Sequence, residues 1–138
     1  MMTMETRHVD LSVGNGKHRV NLSATYTMDG LTVTIVGGEK PHVGSIAVAV
    51  PRPSLEDPSK ISATVSVFNL VGHKDDEIAR PAAERLAKEL RQPIVVVAGT
   101  HVQNAKDEDV QKLLRNSMQA VEEFARKIGR HQKKSDVF

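Results

Sequence analysis

Three glycine-bearing loops hold the residues of this sequence best suited to chemistry: Gly37-Gly38-Glu39-Lys40-Pro41-His42-Val43-Gly44, Gly72-His73-Lys74-Asp75-Asp76 and Gly99-Thr100-His101. Each follows a β-prone apolar run and each contains a histidine. Glycine lets backbone N–H groups approach an anion closely. Lys74 can pair with a phosphate, and a helix starting near Asp75 would aim its positive pole at the same place. Asp75 and Asp76 would repel phosphate; they suit a helix cap, acceptors for ligand N–H groups, or metal ligands beside histidine. Taken singly, a histidine after a strand usually bonds backbone, Gly37-Gly38 is an ordinary turn and Asp75-Asp76 an ordinary cap. Only convergence of the loops would make a site.

Other chemistries lack their parts. The chain has no cysteine, which excludes disulfides, a thiolate nucleophile and cysteine-ligated zinc or iron–sulfur clusters. No serine sits in a nucleophile-elbow motif, and Ser45 falls within an expected strand. Neither a Walker phosphate loop nor a Gly-x-Gly-x-x-Gly fingerprint is present. Adjacent Asp75 and Asp76 cannot form the facing pair of a glycosidase. A hydrolytic metal site from His42, His73, Asp75 and His101 is chemically feasible, although the spacings match no zinc signature. Binding an anionic ligand is the simpler expectation. His8, His18 and His131 read as surface residues. The aromatic residues are Tyr26, Phe68, Phe124 and Phe138, too few for a nucleic-acid reader that stacks bases.

The 138 residues, 39% hydrophobic and 26% charged, fit one domain with one core. The net charge is +2, with the basic excess at the end in Arg126, Lys127, Arg130, Lys133 and Lys134. These cations suit the negative pole of a helix followed by a solvated tail, giving a domain over 1–130 and a basic tail over 131–138. No apolar run approaches the roughly 18 residues that span a bilayer, and the start lacks a signal-peptide pattern. The expected location is the cytoplasm, without membrane contact.

These loops need elements to position them. Alternation predicts strands near Thr6–Ser12, Val20–Met28, Leu31–Val36, Val43–Val50 (stopped by Pro51 and Pro53) and Ile61–Val67. Ile94-Val95-Val96-Val97-Ala98 reads as a central strand covered on both faces. Ile78, Ala82, Leu86 and Leu90 mark a helix capped by Asp75 or Asp76, with Pro81 tolerable only in its first turn. Val110, Leu113, Leu114, Ser117, Val121, Phe124 and Ile128 mark a second helix of about five turns, capped by Asn104 or Asp107.

The order is β-β-β-β-β-α-β-α, an α/β (α+β) two-layer sandwich on a mixed six-stranded sheet. If the third strand runs up and its neighbour, the fourth, runs down, the fifth and sixth run up again, and all three histidine loops leave one edge. Ligands bind outside the carboxyl ends of such strands. The other sheet face, with Asn21, Ser23, Thr25, Thr27, Thr32, Thr34, Ser62, Thr64 and Ser66, reads either as ordinary strand threonine or as an uncharged dimer contact.

The three loops, with Val102 and Asn104, resemble the signature of the LpdD-like proteins, small accessory components associated with UbiD-type hydroxyarylic acid decarboxylases such as gallate decarboxylase. The resemblance covers about Leu31 to Asn104; Thr100 and Pro81 depart from it. It implies a non-catalytic, usually dimeric accessory protein with a fold like the proteasome-assembly-chaperone domains. Its implied task is to bind reduced prenylated FMN, made by a UbiX-type flavin prenyltransferase, and to help deliver it to the apo-decarboxylase. Under that resemblance His42, His73, Lys74, Asp75, Asp76, His101 and Asn104 line the pocket, shaped by Gly37, Gly38, Pro41, Gly44, Gly72 and Gly99. With so few aromatics, the flavin ring would rest on aliphatic side chains and backbone. Two rivals use the same edge: an enzyme dependent on a divalent metal, and a dimeric assembly scaffold without a small-molecule ligand.

Overall fold

A computed structural model describes residues 7–26, 29–70 and 74–135, with side chains as far as residue 128. Thr6, Thr27, Met28, Gly72, His73 and Phe138 lie outside the described residues, as do the side chains of Arg130, His131, Lys133 and Lys134.

The alternating segments form β1 (Arg7–Val13), β2 (Val20–Tyr26), β3 (Leu31–Gly38), β4 (Ser45–Pro53) and β5 (Ile61–Asn69). Helix α1 (Asp76–Leu90) leads to β6 (Ile94–His101), and α2 (Asp107–Ser135) follows. The strands make one six-stranded mixed sheet in the order β1-β2-β3-β6-β4-β5. This corrects the expected pairing of β3 with β4: β6 lies between them, parallel to β3 and antiparallel to β4. A run with no polar side chain suits that place, where both edges are paired and Ile94, Val96 and Ala98 are fully buried. The expected strand directions survive the change of neighbours, because β5 is antiparallel to β4 and therefore runs with β3 and β6. The loops after β3, β5 and β6 thus share one edge. Residues 39–44, which join β3 to β4, must pass over the end of β6.

Both helices cover the same sheet face. Leu22, Val33, Ile35 and Val96 share one core with Ile78, Leu86, Val121 and Phe124, each large side chain contributing about 1.5–3 kcal/mol by leaving water. The opposite face is not the uniform hydroxyl surface expected, nor is β6 covered on both sides. Across β1 and β2 it is polar, with Ser23 donating to Asp10 and Ser12 to Asn21. Across β6 and β4 it is apolar, with Val95 and Val97 half-buried and Val48 and Val50 exposed, whereas β5 presents Ser62, Thr64 and Ser66 as expected, with Phe68 exposed near its end.

Three prolines sit where they were not expected. Pro51 and Pro53 belong to β4, whose ladder with β6 ends at Ala49; beyond it β4 is an edge, where a missing N–H breaks no ladder bond. Pro81 lies inside α1, beyond the first turn, and leaves the Glu77 carbonyl without its helical donor.

Helix α2 has 29 residues, so it is longer than five turns and includes residues 131–135, expected to be tail. Neither Asn104 nor Asp107 caps it. The Lys106 carbonyl accepts the first helical bond from Val110 N–H at 3.1 Å, and Asp109 reaches back to accept Lys106 N–H at 2.9 Å, half of a capping box. Asp109 also accepts from His18 Nε2 at 2.7 Å and pairs with Lys17 at 3.3 Å. His18 is therefore a half-buried tie between the first hairpin and α2 rather than a surface residue, whereas His8 is exposed.

The Lys106 N–H, then His18, then Lys17 hold the Asp109 carboxyl well below the usual carboxylate range, against the opposing effect of burial. A depressed native pKa stabilises the fold fully above the unfolded value of about 4 and is lost as pH falls towards the native value. Asp109→Asn is accordingly expected to lose less stability than the parent between about pH 5 and pH 2, measured by urea unfolding midpoints. Parallel pH profiles would remove Asp109 as the source.

Candidate functional site

Because β6 lies between β3 and β4, residues 39–44 form a strap across its carboxyl end. Glu39 and Lys40 donate their N–H groups to the His101 carbonyl at 2.7 and 3.2 Å, and Gly44 N–H donates to the Ala98 carbonyl at 2.9 Å. The strap passes so close to Gly99 that a Cβ there would overlap the His42 carbonyl carbon and oxygen. At Gly44 a Cβ would overlap the Asp75 carboxylate. These two close approaches are why the loops carry glycine at these positions.

Asp75 ties the three segments together. It occupies the N-cap position of α1, as expected, but makes no side-chain capping bond. Instead Oδ1 accepts the Thr100 N–H at 3.0 Å and Oδ2 accepts from His42 Nε2 at 3.0 Å. The other ring nitrogen of His42 meets the Lys40 carbonyl at 2.9 Å. His101 stands edge-on to His42, with ring centroids 6.4 Å apart and planes at 82°. The carboxylate is 7% exposed, so it is fixed by these bonds rather than by water.

Beside this knot lies a cavity of about 360 Å³. Its polar wall holds His42, Lys74, Asp75, Thr100, His101 and Asn104, with Glu77 from the first turn of α1. Its apolar wall is Ile78, Val102, Ala105, Val110, Leu113 and Leu114. Five residues expected at the site, His42, Lys74, Asp75, His101 and Asn104, are therefore brought together. Gly37 and Gly38 pair with Thr100 and His101 in the sheet ladder, and Gly44 and Gly99 lie under the strap. Pro41 and Asp76 are not on the wall. Gly72 and His73 fall outside the described residues.

Several donors of the described loops are engaged within the protein. The N–H groups of Glu39, Lys40, Gly44, Thr100 and Gln103 all bond within the protein. Among the described residues no group of three or more metal-ligating side chains lies together, and His42 and Asp75, two candidates for such a group, bond each other. The apolar wall escapes sequence reasoning because Val110, Leu113 and Leu114 belong to a stripe that reads as core. Val110 itself, near the start of α2, is 40% exposed.

Residues 14–129 match the prenylated flavin chaperone LpdD-like domain. The chain belongs to that family. The LpdD-like match extends well past the segment from Leu31 to Asn104 and takes in β2, the turn before it and most of α2. No curated protein matches the chain. Among solved structures, the LpdD-like fold is similar to a chain of a yeast chaperone complex for 20S proteasome assembly, with a TM-score of 0.56 and 15% identity over 89% of this chain and 94% of that one. The expected proteasome-assembly-chaperone architecture is thus the one found.

Proposed function

We propose that this protein is a carrier for reduced prenylated FMN. It receives the cofactor from a UbiX-type flavin prenyltransferase and helps deliver it to a UbiD-type apo-decarboxylase in the cytoplasm, without catalysing a reaction itself. The observation that carries this reading is the cavity built from the motif loops inside the span matched by the prenylated flavin chaperone family. His42, Lys74, Asp75, His101 and Asn104 would touch the cargo, and the sequence motif adds Gly72, His73 and Asp76 as further contacts to test. Mixed aliphatic and polar walls favour an affinity moderate enough for release. We assign homodimer formation to the apolar patch of the bare sheet face, Ile46, Val48, Val50, Val95, Val97 and Phe68, bordered by the hydroxyls of β5 and by Arg52, because a second copy offers the same apolar surface.

The test is reconstitution. Purified protein, added at saturating concentration to a UbiD-type apoenzyme with reduced prenylated FMN, is expected to raise the fraction of loaded decarboxylase several-fold. Unchanged loading would refute the carrier reading.

A further inference from the structure

A free phosphate group carries a charge of about −1.5 to −2 near neutral pH and binds where N–H donors and cations are unengaged. Among the described residues, Lys74 is the single lysine or arginine on the wall of the cavity. The wall N–H groups of Glu77, Ile78 and Thr100 bond within the protein, as do those of Glu39, Lys40, Gly44 and Gln103 in the adjoining loops. Two carboxylates, Asp75 and Glu77, stand on its wall. Lys74, the one lysine among the wall residues, is exposed, as expected of a group at the rim. Half of the lining is aliphatic, from Ile78, Val102 and the first turns of α2. The volume of about 360 Å³ lies near the bottom of the range for drug-sized ligands, roughly 300–1,000 Å³. That suits a fused ring system better than ring, ribityl chain and phosphate together.

We propose that the cavity holds the ring system of the cargo and leaves its phosphate outside, near Lys74; this rests on the carrier reading above. A prenylated flavin ring has a hydrocarbon side, for the wall of Val110, Leu113 and Leu114. Its opposite edge of carbonyl and N–H groups faces Thr100, His101 and Asn104. The ring is kept from solvent while the phosphate projects. The apo-decarboxylase can therefore grip the phosphate before the ring leaves the carrier, so transfer needs no free cofactor.

Anaerobic equilibrium dialysis tests this with two probes, reduced prenylated FMN and the reduced prenylated riboflavin left by phosphatase treatment. The two dissociation constants are expected to agree within about threefold. Val110→Asp, on an exposed position, is expected to weaken both by a similar factor, roughly tenfold or more. If removing the phosphate weakens binding on the order of 100-fold, or if Val110→Asp weakens only the phosphorylated probe, the phosphate occupies the cavity and the inference is overturned while the carrier survives. If the parent protein binds neither probe, the carrier reading fails and the inference fails with it.

Discussion

Replacing Gly99 by alanine is expected to lower stability by about 3 kcal/mol, or on the order of 10 °C in Tm. The added Cβ meets backbone, the His42 carbonyl, and not the movable end of a side chain. Relief therefore requires the whole strap over residues 39–44 to lift. Lifting it stretches the bonds from Glu39 and Lys40 to the His101 carbonyl and from Gly44 to Ala98, and withdraws His42 from Asp75. Overpacking of a tight site costs about 1–3 kcal/mol before such losses, so the upper end applies. Gly30→Ala is the control: its Cβ would meet only the Pro93 carbonyl, at 3.4 Å, an ordinary contact. Thermal and urea unfolding of the two variants should separate clearly. A Gly99→Ala protein melting within about 2 °C of the parent would show that the strap does not lie against β6. Cargo binding should fall with stability, because the strap carries His42 into the wall of the cavity.

The close approach at Gly99 also explains which parts of the architecture could be read in advance. The strands announce themselves through period-two patterns such as Val20, Leu22 and Ala24, which depend only on local pleat geometry. Their directions follow from connection lengths, a chain property. Strand order does not: whether the run from Ile94 joins the edge or enters between β3 and β4 is decided by which arrangement buries it best. The strap exists only because it enters. Likewise Asp75 sits where a cap is expected, yet its carboxylate serves residues 33 and 25 positions away, His42 and Thr100. No local rule assigns those partners. Val110 reads as core because a 3.6-residue stripe says which side of a helix is apolar, not which residues on that side stay uncovered. His18 reads as a surface residue for the same reason, since its partner Asp109 is 91 positions on.

Asp75→Ala should remove about 2–4 kcal/mol of stability and abolish cargo delivery. The loss has two sources, and they can be separated. The Thr100 N–H loses its acceptor, and a half-buried donor left unpaired costs about 1–3 kcal/mol. His42 loses the carboxylate that fixes its ring against the strap. Asp75→Asn keeps an amide oxygen that can still accept from Thr100 but removes the charge facing His42, so it should show an intermediate loss. Asp75→Ser tests the remaining role. Serine is a good N-cap, whereas the native carboxylate makes no capping bond; the variant should therefore recover part of the stability without recovering delivery. A cycle of Asp75→Asn with His42→Ala should give a coupling of about 1 kcal/mol or more. Additive effects would mean that the pair does not act as a unit. If Asp75→Ser restored delivery along with stability, Asp75 would be a helix cap and nothing more, and the tie between strap, helix and β6 would have no part in holding the cargo.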